Sequence, residues 1–126
     1  MPDPGAPTVL VVEDDPHVRL LLERLVSGAG YGVLSAGSGA EALAALGAPG
    51  AEVDLLLTDL GLGDLHGGEL ARRALELAPG LPVVYSSGQD NAPPTTGGMP
   101  AGEGFLRKPY GAEDLKRVLD SVLARG

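Results

Sequence analysis

Short continuous apolar runs alternate along this chain with apolar residues at helical spacing. Thr8-Val9-Leu10-Val11-Val12 is unbroken and β-branched, the pattern of a strand buried on both faces. It stops at Glu13-Asp14-Asp15. Asp15 followed by Pro16 reads as an N-cap with proline in the first helical turn. Val18, Leu21, Leu22, Leu25 and Val26 then recur at helical spacing, and Gly28 to Gly30 end the helix. Residues 32–36 (Gly-Val-Leu-Ser-Ala) read as a short second strand. Ser38, with Glu41 three residues on, forms a capping box that opens a helix through Leu43 and Leu46 to Gly47. Asp54 to Thr58 is a third strand and again ends in an acid, Asp59. A Gly-rich loop leads to a helix through Leu70, Ala71, Ala74, Leu75 and Ala78, closed by Pro79-Gly80. Residues 82–86 form the fourth strand and 104–107 the fifth. Leu115, Val118, Leu119, Val122 and Leu123 mark the last helix.

Strands alternating with helices predict a parallel sheet covered on both faces, in one of a few doubly wound topologies. One stretch breaks the alternation. Between Gly88 and Gly102 lie three prolines and a glycine pair. A helix there would lose about 3 kcal/mol per interior proline and about 1 per glycine. The fourth helix is therefore expected to be missing or reduced to a turn. Residues 1–7, with three prolines, predict a loose leader ahead of one domain over residues 8–126.

Composition narrows the function. The 126 residues suit one compact domain with a core of Leu, Val and Ala, since there is no Trp and one Phe. There is no cysteine, which excludes disulfides, zinc ribbons and thiol chemistry. A formal charge of −8 disfavours contact with phosphate backbones, so no nucleic-acid partner is expected. No apolar run is long enough to span a bilayer and no signal layout is present; the chain reads as cytosolic, with no membrane partner.

Ligands of an open parallel sheet gather at the carboxyl ends of its strands. Those ends carry Glu13 and Asp14, then Asp59, then Ser87, then Lys108. Any one of these is also what a helix cap or a solvated turn looks like; their order along successive strand ends is what carries weight. Two carboxylates ~4 Å apart repel by about 4 kcal/mol at an effective dielectric near 20. Three together should take up protons or bind a cation. An all-oxygen, partly open site favours a hard ion such as Mg2+, which could also hold a phosphoryl oxygen. His17 and His66 read as first-turn or loop residues, Arg19 and Arg107 as surface charges.

These segments carry a resemblance. Val-Leu-Val-Val-Glu-Asp-Asp-Pro, Asp-Leu-Leu-Leu-Thr-Asp-Leu, Pro-Val-Val-Tyr-Ser-Ser-Gly and Phe-Leu-Arg-Lys-Pro-Tyr resemble, in order, the receiver domain of two-component response regulators, the CheY-like superfamily. The resemblance runs from about Thr8 to the C-terminus. It implies a flavodoxin-like, five-stranded sheet of order 2-1-3-4-5. It also implies that Asp59 takes a phosphoryl group from the phosphohistidine of a sensor histidine kinase or histidine phosphotransfer protein. Asp14, Glu13, Asp59 and the carbonyl of Gly61 would hold Mg2+. Ser87, the N–H of Gly88 and Lys108 would bind the phosphoryl group, and Phe105 would be the aromatic switch partner of Ser87. Catalysis would be slow and self-directed, the chain being a switch and not an enzyme. The loop has Gly63 where the family commonly has proline, and Gly61 and Gln89 stand where side chains often tune phosphoryl lifetime.

Other readings compete. A degenerate receiver would act as an interaction module without phosphorylation, as the altered 89–102 stretch would allow. A phosphoaspartyl hydrolase of the haloacid-dehalogenase kind needs an acid two residues after the nucleophile, where Gly61 stands. A flavin-binding flavodoxin-like protein needs a phosphate-cradling loop after the first strand, where Glu-Asp-Asp would repel phosphate.

Overall fold

The computed structural model describes residues 6–48, 52–59, 66–87, 103–107 and 111–124, and for Ser87, residues 103–107 and Ala124 it describes the backbone alone. The elements follow the alternation: β1 (Thr8–Val12), α1 (Pro16–Gly28), β2 (Gly32–Ala36), α2 (Gly39–Gly47), β3 (Leu55–Asp59), α3 (Gly67–Leu77), β4 (Val83–Ser87), β5 (Glu103–Arg107) and α4 (Ala112–Ala124). All strand pairs are parallel, and the order is β2-β1-β3-β4-β5. Gly88 to Gly102, where the fourth crossover helix was expected to fail, lies outside the described residues, as do residues 1–5 of the expected leader. The carbonyl of Pro7, at the end of that leader, accepts from Gly32 N–H at 2.9 Å.

Two-residue alternation splits β1 between two cores. Leu10 and Val12 pack with Leu56, Val83, Tyr85 and the inner faces of α2 and α3, including Ala42, Leu70 and Ala74. Val9 and Val11 pack with Leu55, Leu57, Val84 and with Leu22, Val26, Leu115 and Leu119 of α1 and α4. The central strands are thus buried on both faces, which is why they read as unbroken apolar runs. β2 is an edge strand, and its Leu34 and Ser35 are exposed.

The caps were legible. Asp15 accepts from the N–H groups of His17 at 2.8 Å and Val18 at 3.3 Å, ahead of Pro16. Gly30, just past α1, has φ +97°, a conformation that suits only a residue without Cβ. Ser38 Oγ accepts from Glu41 N–H at 3.1 Å, but the Glu41 carboxylate reaches the N–H of Gly37, one residue beyond the box. Not every apolar residue at helical spacing in α1 is buried. Leu21 is 55% exposed, because Val18, Leu22 and Val26 define the buried stripe and position 21 lies about 100° round the helix from 22.

Tyr31 ties the end of α1 to the last helix. Its hydroxyl donates to Oδ1 of Asp120 on α4, and Lys116 Nζ donates to the second carboxylate oxygen at 2.7 Å. Burial first, then the Asp120 hydrogen bond and charge, push the phenol up to about 12 from 10.0. The folded chain therefore keeps this proton where the unfolded chain loses it. The stabilisation is complete below pH 10 and is lost as pH rises from about 10 towards 12. Urea denaturation across that range is expected to show this loss in the wild type and not in Tyr31→Phe; equal pH slopes in the two proteins would contradict the assignment.

Candidate functional acidic site

The parallel register decides what meets at the carboxyl edge. Val12 pairs with Thr58, so the residues that follow them, Glu13 and Asp59, lie side by side at the strand ends. Asp59 itself pairs with Ser86, and Ser87 with Arg107. One carboxylate oxygen from each of Glu13, Asp14 and Asp59 lies within 4.8 Å of the others. The three differ in exposure: Glu13 is 3% exposed, Asp59 is half-buried and Asp14 faces solvent.

The turn that presents the acids is held from several sides. Glu13 N–H donates to Ala36 O at 3.1 Å, continuing the β1–β2 ladder by one step. Glu13 Oε2 accepts from Asp15 N–H at 3.1 Å, which bends the side chain back over its own turn. Arg19 Nη1 donates to the Glu13 carbonyl at 3.0 Å. On the other strand, buried Thr58 donates through Oγ1 to the Asp59 carbonyl at 3.0 Å.

The donor set fits a hard divalent cation. Metal–oxygen distances of about 2.1 Å in an octahedral shell place ligand oxygens roughly 3 Å apart when adjacent and about 4 Å apart when opposite. A 4.8 Å spread reaches that range with a shift below about 1 Å, or with a water completing the contact. Oxygen-only ligands with one side open to solvent suit Mg2+ better than zinc or copper.

Of the residues expected at the site, the structure brings Glu13, Asp14 and Asp59 together. Ser87 ends β4 at the same sheet edge, and Phe105 sits mid-strand in β5 opposite Tyr85. Gly61, Gly88 and Lys108 lie outside the described residues. His17 is solvent-exposed in the first turn of α1, and His66 caps α3 by accepting from Gly68 N–H through Nδ1 at 3.0 Å. Arg19 is the residue that sequence reasoning undervalued. Its signal was positional: one turn into α1, a long cationic side chain can reach back to the acidic turn.

Comparison with known proteins completes the picture. The family described as response regulator receiver domain matches residues 9–120. This chain belongs to that family. The receiver is 32% identical over 116 residues to the transcriptional regulatory protein GlrR of Escherichia coli, covering 91% of this chain and 26% of GlrR. It is 32% identical over 122 residues to the sensor kinase CckA of Brucella abortus, covering 96% of this chain and 13% of the kinase. The receiver thus spans well under two thirds of the length of these curated relatives. Among solved structures, a response regulator receiver protein from Sinorhizobium medicae superposes with a TM-score of 0.79 at 29% identity, covering 97% of this chain and 98% of that one. The receiver domain of the hybrid histidine kinase CckA gives 0.77 at 30% identity, covering 92% and 98%. Receiver domains are signalling switches and not conventional enzymes. Among the described residues of this receiver, no helix is long and apolar enough to cross a membrane.

Three clustered negative charges repel, and one can be removed without changing side-chain shape. Asp59→Asn is expected to raise the stability of the cation-free receiver by on the order of 1 kcal/mol. Urea denaturation in the presence of a chelator measures this, and a comparable loss of stability would contradict the electrostatic reading.

Proposed function

We propose that this receiver is a phosphoryl-accepting switch of a two-component phosphorelay, with Asp59 as the acceptor. The observation that carries the reading is the convergence of Glu13, Asp14 and Asp59 at the carboxyl edge of the sheet. Membership of the receiver family and similarity to a sensor kinase support a histidine kinase or histidine phosphotransfer protein as donor. The downstream partner would be a protein that distinguishes the two phosphorylation states.

Glu13, Asp14, Asp59 and the carbonyl of Gly61 would hold Mg2+. When bound, the ion supplies positive charge beside the phosphoryl oxygens, where negative charge builds during transfer. An Asp59 carboxylate oxygen would attack phosphorus in line with the P–N bond of the phosphohistidine. As the O–P bond forms, the P–N electron pair returns to the imidazole nitrogen, which takes up a proton. A carboxylate is a weak nucleophile, so positioning and charge neutralisation dominate. Lys108 would pair with one phosphoryl oxygen, and Ser87 and the Gly88 N–H would donate to others. The phosphoryl group brings nearly two negative charges to the strand ends. Ser87 reorienting towards it, with Phe105 turning inward, would shift the population of a second surface state and so change partner binding.

Acetyl phosphate and Mg2+ should add the mass of one phosphoryl group to the intact receiver. Asp59→Asn, or removal of Mg2+ by EDTA, should abolish the addition. Unmodified wild-type protein under these conditions would instead mark a degenerate receiver that works by binding alone.

A further inference from the structure

We infer that Arg19 is a positioning residue for the acidic site, fixing the direction of the Asp14 carboxylate through the Glu13–Asp14 peptide bond. The inference rests on the reading of that site as a Mg2+ site.

A peptide unit is planar, so a hydrogen bond to its carbonyl also fixes the attached N–H and the direction of the next Cα. The Glu13 carbonyl belongs to the unit that contains the Asp14 nitrogen. Arg19 Nη1 holds this carbonyl at 3.0 Å. The flanking groups are anchored separately, Glu13 N–H by Ala36 O and the Asp15 side chain by the first turn of α1. Arg19 therefore supplies the described hydrogen bond that sets the rotation of the unit between those anchors. Glu13 is buried and also held through its side chain, whereas Asp14 is exposed and has most to lose from a loosened peptide.

A second observation comes from the β2–α2 turn. A Cβ built on Gly37 would lie 2.8 Å from Arg19 Nη1 and 3.2 Å from Glu41 Oε2. The guanidinium thus occupies space that any other residue at position 37 would claim. Gly37 N–H is itself held by Glu41 Oε2 at 2.7 Å, which keeps the turn close against Arg19. Gly37 and Arg19 form one unit, a vacant Cβ position and the cation that fills it. Through the Glu13 carbonyl this unit borders the acidic turn.

The direction of the effect separates positioning from charge. A cation near the pocket opposes Mg2+ by Coulomb repulsion, so an Arg19 acting only as a charge would tighten binding when removed. A positioning Arg19 weakens binding when removed, because the carboxylates must then be ordered by the metal itself.

Calorimetric titration of MgCl2 into the full chain tests this without reference to phosphorylation. Relative to wild type, Arg19→Ala is expected to raise the Mg2+ Kd about three- to tenfold, the scale of one lost ordering hydrogen bond. Arg19→Lys, which keeps a donor and the charge, should recover most of that loss, as a merely structural role would not require. Gly37→Val should weaken binding in the same sense by displacing the guanidinium, and carries the test should Arg19→Ala fail to fold. An unchanged or tighter Kd in folded Arg19→Ala, or an unchanged Kd in Gly37→Val, would overturn the role of Arg19 and leave the metal site standing. Wild-type protein that takes up no Mg2+ would overturn the metal site, and this inference with it.

Discussion

Mutual repulsion of carboxylates at one edge of a sheet is the constraint around which this molecule is arranged. Glu13, Asp14 and Asp59 bring their oxygens within 4.8 Å because β1 and β3 are adjacent and in register. Left to themselves such groups would separate, so the backbone must hold them. It does so through the ladder bond from Glu13 N–H to Ala36, the capped start of α1 behind Asp15, and the Arg19 contact to the Glu13 carbonyl. Even the order of 1 kcal/mol expected on removing one of these charges is an appreciable part of a domain's net stability of about 5–15 kcal/mol. Strands buried on both faces offset that strain, and β1 and β3 are nearly solvent-free from Val9 to Val12 and from Leu55 to Thr58.

The remaining order of the fold follows from keeping this edge rigid. Described helices run back along the sheet after β1, β2, β3 and β5, so the Tyr31–Asp120 tie lies towards the end away from the acids, where α1 finishes and β2 begins. It anchors the late part of α4, while the start of α4 at Ala112 faces the edge that carries the site.

Much of this was legible in the residues. Unbroken runs such as Val9–Val12 and Leu55–Leu57 marked central parallel strands because both of their faces are buried. Asp15-Pro16 and Ser38 marked helix starts because only a side-chain acceptor at those positions satisfies the first N–H groups. Acids ending two such strands announced the pocket. What could not be read depends on distance through space. Tyr31 and Asp120 are 89 positions apart, and no local pattern pairs them. Leu21 satisfies helical spacing yet lies at the border of the buried stripe, where only packing decides. Arg19 looked like a surface charge because its partner is a backbone carbonyl, and sequence reveals no carbonyl's orientation.

The claim that three side chains from neighbouring strands form one divalent-cation site is open to direct inspection. Crystals soaked in Mn2+, a hard oxygen-seeking ion with a usable anomalous signal, would locate the metal. The account predicts an anomalous peak within coordination distance of Asp14 and Asp59, with Glu13 beside it. A crystal without a peak there, its three carboxylates turned apart, would contradict it.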